Sequence, residues 1–323
     1  MRENLDTRGY FNYMSADCSS SLYRNGKVYT KRDINGSDAG SEGINLEKCE
    51  KLVINARELF SKNISLNTNG FELFNSSLDK FQIDFFNNEQ VLNKYYIRCA
   101  NEIKDFTGAT EVYAFDHNIR SASGKKKKQM IHGGQQVQGP ARIVHGDYTL
   151  TSASERIRQL SKPPSKNDTL SKIIGEKDSL ISSSLVDSTL SNGRFAIINL
   201  WRSIVLEPVE MNPLALCDAQ TVTAEDLVVF EIRYSDRIGE NYFAKHNDKH
   251  KWFYYPNINK DEALLIKQWD SKGGLAVSSG KTSDFMSKSD TCTFSFHSAF
   301  HDPNTRVDAP DRCSIEVRCI VIY

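Results

Sequence analysis

Residues 142–149 read Arg-Ile-Val-His-Gly-Asp-Tyr-Thr, which sets an imidazole, His145, and a carboxylate, Asp147, two positions apart behind the β-branched pair Ile143 and Val144. In a strand alternate side chains share a face, so both groups would point the same way. One neutral imidazole and one carboxylate, joined by a second imidazole from far along the chain, make the facial triad that holds Fe(II) and leaves coordination positions open. His297 is the candidate second imidazole. It ends an alternating segment in which Thr291, Thr293, Ser295 and His297 fall on one face, the pattern of a polar cofactor pocket in a barrel. His301, beside Asp302 and Pro303, is the rival ligand. A His-x-Asp tripeptide alone is weak evidence. The apolar lead-in, the distant His and an Arg beyond it raise its weight. An iron site of this kind works with an α-keto acid, whose far carboxylate needs a planar, bidentate cation. Arg312 and Arg318 both qualify, because residues 312–318 alternate and put Arg312, Ser314, Glu316 and Arg318 on one face.

Seven blocks in this order carry a resemblance: FDHNIR (115–120), VHGDYT (144–149), NLWR (199–202), PLALCD (213–218), WFYYP (252–256), HSAF (297–300) and RCSIEVR (312–318). Together they resemble the CmcJ/AsaB-like hydroxylase/desaturase family, over roughly the last two thirds of the chain. The resemblance implies a non-haem Fe(II), 2-oxoglutarate-dependent oxygenase built on a double-stranded β-helix of jelly-roll or cupin type. It implies His145, Asp147 and His297 as the catalytic metal ligands, with O2 as the other cosubstrate. It implies oxidation of an unactivated C–H bond of a small molecule in specialised-metabolite biosynthesis, by hydroxylation, desaturation or cyclisation, with succinate and CO2 as co-products. Arg312 lies fifteen positions beyond His297, near the spacing of the 2-oxoglutarate arginine in related oxygenases. Arg312 and Ser314 resemble an Arg-x-Ser carboxylate clamp, with Arg318 as the alternative. Asn199 and Arg202 stand in an apolar run and must find partners if buried; they read either as cosubstrate or substrate contacts or as a structural pair. Because Asp147 fills the position a halide would need, halogenation is disfavoured. The separation of His145 from His297, 152 residues, is longer than in many iron oxygenases. A rival of a different class is a non-catalytic partner subunit of a homologous oxygenase, against which the intact triad argues. Another is a metal-independent small-molecule binding barrel.

Composition narrows the field. The chain has 323 residues, 41 basic against 41 acidic, and a net charge of zero. No global field points to nucleic acid or an anionic membrane, and the expected partner is a small molecule; a homo- or heterodimer stays open. Seven cysteines without a paired spacing argue against a disulfide framework and against structural zinc. With no leader-like N-terminus and no run of about 18 apolar residues, a cytoplasmic protein is expected. Four lysines, Lys125 to Lys128, read as a solvated loop, and His246 and His250 as solvated turn residues.

The elements that must position the triad read as one mainly β domain with flanking helices. Residues 1–110 supply N-terminal strands and covering helices, 111–323 the β-helix core, and the polar segment 161–193 a lid or insertion. Helical spacing of Leu46, Cys49, Leu52, Val53 and Ala56 predicts a helix over 45–62, and Val91, Leu92, Tyr95, Cys99, Ile103 and Phe106 predict a second, ending at Gly108. Strands are expected over 111–116, 195–201, 227–234 and 240–245, and helices over 152–160 and 259–270. His117, just past the first of these strands, is a further pocket or ligand candidate.

Overall fold

A computed structural model describes residues 6–32, 38–57, 64–78, 82–165, 168–235, 237–277 and 291–323. In chain order the first strands are β1 (Thr7–Met14), β2 (Tyr29–Arg32), β3 (Asp38–Glu42), β4 (Leu46–Asn55) and β5 (Phe71–Asn75). A helical stretch follows: α1 (Asn88–Gln90) runs through a π-helical turn (Val91–Tyr95) into α2 (Tyr96–Thr107). Next come β6 (Glu111–Arg120), α3 (Ala122–Lys126), β7 (His145–Gly146), α4 (Ser152–Gln159), α5 (Ser183–Asn192), β8 (Phe195–Ser203) and β9 (Leu214–Cys217). The last third holds β10 (Leu227–Arg233), β11 (Ile238–Ala244), β12 (Trp252–Tyr254), β13 (Glu262–Asp270), β14 (His297–Ala299) and β15 (Ser314–Ile322).

These strands form two sheets. One runs β1-β4-β12-β9-β14-β7-β11-β10-β2-β3 and the other β5-β13-β8-β15-β6. Their facing sides close on one large apolar core that includes Phe11, Val144, Leu200, Leu265, Phe296 and Val317, a jelly-roll arrangement in which two packed sheets bury alternate residues. β8, β13 and β15 are buried along nearly their whole length. Their outer side is covered, in part by α2, which lies on β6 and β15. Gly108, with φ +66°, ends α2 in the left-handed conformation that a residue without a Cβ adopts cheaply.

Two expected helices are strands. Residues 46–55 form β4, paired antiparallel with β1 and parallel with β12. Its inward positions include Lys51, which donates to the Asn247 carbonyl, while Leu46 and Leu52 face outward. This inverted polarity hid the period of two, and apolar residues on both faces imitated a helical stripe. Leu59, Phe60 and the end of the expected helix lie outside the described residues. Residues 262–270 form β13, where good helix formers and the polar Lys267 and Gln268 misled the reading. Both are fully buried; Lys267 pairs with Asp270 at 3.1 Å. The helices at Val91–Phe106 and Ser152–Leu160 and the β10–β11 pairing follow the expectation.

The segment 168–193 is packed. Leu170, Ile181 and Val186 enter the core, and α5 lies against α4. Two of the small polar residues before His297 are spent structurally: Ser295 donates to the Cys217 carbonyl, and Thr293 accepts from the Leu275 N–H. Only His297–Ala299 pairs as a strand there. His250 is buried rather than solvated, between Asp226 and the Tyr13 hydroxyl, each at 3.2 Å. The lysines of α3 and the turn after it are exposed. All seven cysteines are free. Among the described residues no helix is long and apolar enough to cross a membrane.

Candidate metal centre and active site

The large sheet supplies both imidazoles. β7 and β14 pair antiparallel with His145 opposite His297, which brings the rings to 4.3 Å between centroids. Asp147 follows β7 directly, so its Oδ1 lies 3.7 Å from His145 Nε2 and 3.9 Å from His297 Nε2. One ligand atom from each of the three residues falls within 4.8 Å of the others, and all three residues are buried. A second such group, Glu47, Cys49 and His246, is half-buried and remote in sequence from this centre.

The facing sheet orients the carboxylate. Asn199 on β8 donates to Asp147 Oδ2 at 3.0 Å, and Arg318 Nε on β15, opposite Asn199 in the register, donates to the same oxygen at 3.2 Å. The Asp147 N–H donates to the Gln268 side chain of β13. With Oδ2 tied down, Oδ1 is turned to the imidazoles. His145 Nδ1 lies 2.7 Å from the Ile143 carbonyl, which fixes the proton on that nitrogen and leaves Nε2 as a lone-pair donor. Burial, and then the neighbouring His297, lower the His145 pKa to about 4, so the ring is neutral at ordinary pH. Burial works against the charge on Asp147, but Arg318, His297 and His145 outweigh it and hold the carboxyl below its usual range. Three buried donors, none hydrogen-bonded at the facing atom, match the donor set of a ferrous ion.

Beside the imidazoles a narrow cleft is lined by Arg120, Trp201, Leu214, Arg312 and Glu316. Arg312 is buried, gives one N–H to the Asn212 carbonyl, and leaves Nε without a partner. The Ser314 hydroxyl is buried and unpartnered as well. Burial and the nearby Arg120 guanidinium push the Arg312 pKa down to about 10. Two cations at one cleft, with Glu316 already taken by Arg120 and Arg318, fit an anionic guest. Arg318 is itself saturated: it meets Asp147, Asp116 and Glu316 at 3.1–3.2 Å. Each of its three nitrogens donates to a carboxylate, an arrangement that suits an anchor for Asp147.

Other candidates fall elsewhere. Arg202 is three positions from Asn199 and so on the opposite face of β8, where it binds Ser76, meets Glu102 at 3.6 Å and lies over Tyr95. It is a structural residue and does not contact the centre. His117 points to α2 and shares a hydrogen bond of 2.9 Å with Tyr96, and His301 is exposed. Arg120, Asp116 and Gln268 escaped the sequence reading, although Arg120 and Asp116 stand in the FDHNIR block.

A family model described as "YDMC: Oxidoreductase/YMDC permease-like domain" matches residues 11–322. A protein of Aspergillus novofumigatus named as an Fe(II)/2-oxoglutarate-dependent dioxygenase is 30% identical over 261 residues, 79% of this chain and 77% of that one. The chain belongs to this family of Fe(II)/2-oxoglutarate-dependent dioxygenases. An alpha-ketoglutarate-dependent dioxygenase of a fungal species is 28% identical, covering 82% of each chain. The solved structure of an iron and alpha-ketoglutarate-dependent endoperoxidase shares the fold, with a TM-score of 0.71 at 22% identity over 99% of both chains.

Two variants of the dioxygenase centre have definite expected outcomes. Asn199→Ala removes one of the two donors on Asp147 Oδ2, and iron affinity should fall about 10–100-fold, read by titration of metal-free protein. Gly146 of β7 separates His145 from Asp147, and a Cβ there would stand 3.0 Å from the Phe294 ring. That ring is itself packed against Tyr242 and Phe296. Gly146→Ala should therefore cost about 1–3 kcal/mol in denaturant unfolding and weaken iron binding through the displaced strand.

Proposed function

We propose that His145, Asp147 and His297 hold ferrous iron in this oxygenase, and that Arg312 with Ser314 holds the distal carboxylate of 2-oxoglutarate. The enzyme oxidises an unactivated C–H bond of a small molecule in specialised metabolism, by hydroxylation, desaturation or ring closure. Iron and 2-oxoglutarate, when bound with O2, supply the oxidising power, and 2-oxoglutarate leaves as succinate and CO2. The chain's own residues do the rest. Asn199 and Arg318 fix the carboxylate ligand, the Ile143 carbonyl fixes the tautomer of His145, and the apolar core behind β7 and β14 excludes water.

One observation carries this reading: a buried His-Asp-His donor set adjoins a cleft whose buried guanidinium has no anionic partner of its own among the described residues. The test is iron stoichiometry together with succinate formation from 2-oxoglutarate. About one Fe(II) per chain, and 2-oxoglutarate consumption that needs it, are expected. Metal-free protein that consumes 2-oxoglutarate equally well would refute the assignment, and a protein that retains no iron would return it to the class of non-catalytic subunits.

A further inference from the structure

A cavity of about 410 Å³, walled by α4, the β10–β11 hairpin and β6, reaches the centre at Asp147 and Arg318, while the imidazoles line the narrow cleft beside Arg312. Only Phe115, Ile232 and Ile238 present purely hydrocarbon side chains to it. A hydrocarbon guest would leave the remaining polar wall desolvated without partners, which is costly, so the lining itself selects for a guest that makes hydrogen bonds.

The charges on the wall go further. Each acidic residue of the lining already has a cation: Asp116 and Asp147 meet Arg318, Asp168 meets Arg156, and Glu155 and Glu240 meet Arg24. Arg237, exposed at the rim on the hairpin, belongs to no ion pair among the described residues. Its guanidinium lies 4.6 Å from the centre of the Tyr234 ring. Stacking holds the planar fork in place and leaves its edge N–H groups free for an anion.

We infer that the cavity takes a polar substrate carrying an anionic group, a carboxylate or a phosphate, docked on Arg237 with the carbon to be oxidised directed toward the iron centre. This rests on the iron reading given above and adds the chemical class of the substrate. Arg237 is a specificity residue: it lies at the rim, away from the ligands of the metal.

The experiment measures equilibrium binding to protein loaded with Fe(II) and 2-oxoglutarate under nitrogen. The probes are matched sets: N-acetylated amino acids, their methyl esters, phosphomonoesters of equal length, and farnesol as a hydrocarbon-rich control. The acids or the phosphomonoesters should bind at least about tenfold more tightly than the esters, the worth of one charge-assisted contact; the stronger of the two arms identifies the anion. Arg237→Gln should abolish that preference and Arg237→Lys should keep part of it. Equal binding of acid and ester, farnesol binding as tightly as the anions, no binding of any anion, or an undiminished preference in Arg237→Gln would each overturn the inference. Iron and 2-oxoglutarate binding are titrated separately on the same protein, and failure there counts against the metal assignment and not against the anion preference.

Discussion

Asp147→Ala is expected to give a folded protein that no longer retains iron and forms no measurable succinate. The carboxylate is the one anionic donor of the set, and the other two donors are imidazoles. Without it a divalent ion would face two imidazoles and the Arg318 cation, now relieved of one partner. Losing several kcal/mol of charge stabilisation at the metal corresponds to a fall in turnover on the order of 10³-fold or more. The fold should survive, because Arg318 keeps its pairs with Asp116 and Glu316, so no buried charge is stranded. A cost of about 1–3 kcal/mol in denaturant unfolding is expected, the value of a lost charge-assisted hydrogen bond. Asp147→Asn keeps the shape but not the charge; it should lose iron likewise, with a smaller effect on stability. Metal analysis and unfolding of the same preparations check both parts. A variant that kept stoichiometric iron would assign the carboxylate role to another residue.

The reach of sequence reasoning here follows from the range of each interaction. His145 and Asp147 were visible because their relation is local: positions two apart in an extended segment share a face whatever the rest of the chain does. Pairing with His297 needed only that a second alternating segment exist. Asn199 and Arg202 were grouped as neighbours in the chain, yet an odd separation puts them on opposite faces of β8, one toward Asp147 and one toward Ser76 and Tyr95. Alternation does not decide between Arg312 and Arg318, since both fall on one face of the alternating segment 312–318. We assign the clamp to Arg312 because Asp116 of β6 and Asp147, just after β7, already engage Arg318, and only the sheet order supplies those counter-ions. β4 and β13 were lost for a related reason. Buried Lys51 donates to the Asn247 carbonyl, Lys267 meets Asp270 and the Cys292 carbonyl, and Gln268 accepts from the Asp147 N–H, and a polar residue at an inward position erases the alternation by which a strand is recognised.

Arg312→Leu is the variant that separates cosubstrate binding from iron chemistry. In the absence of 2-oxoglutarate, Arg312 is a buried cation with an unpartnered Nε beside a second guanidinium, so replacing it with a hydrocarbon should leave the melting temperature of the ligand-free protein unchanged or raised. The stabilisation that 2-oxoglutarate confers on the wild-type protein by mass action should disappear in the variant. The KM for 2-oxoglutarate should rise about 10²–10³-fold, the cost of about 3–4 kcal/mol for removing one partner of a buried charge pair, while kcat at saturating 2-oxoglutarate falls much less because the metal ligands are untouched. Arg312→Lys should lie between the two, since a point charge cannot grip a carboxylate with two parallel N–H bonds. Arg318→Leu should behave in the opposite way, unfolding at lower denaturant and losing iron, because it takes the cation from Asp147 and Asp116 and leaves Glu316 with the Arg120 cation alone. Thermal melts with and without 2-oxoglutarate, with initial rates on the same variants, distinguish these outcomes. An Arg312→Leu protein with wild-type affinity for 2-oxoglutarate would transfer the clamp to Arg120, whose guanidinium lines the same cleft.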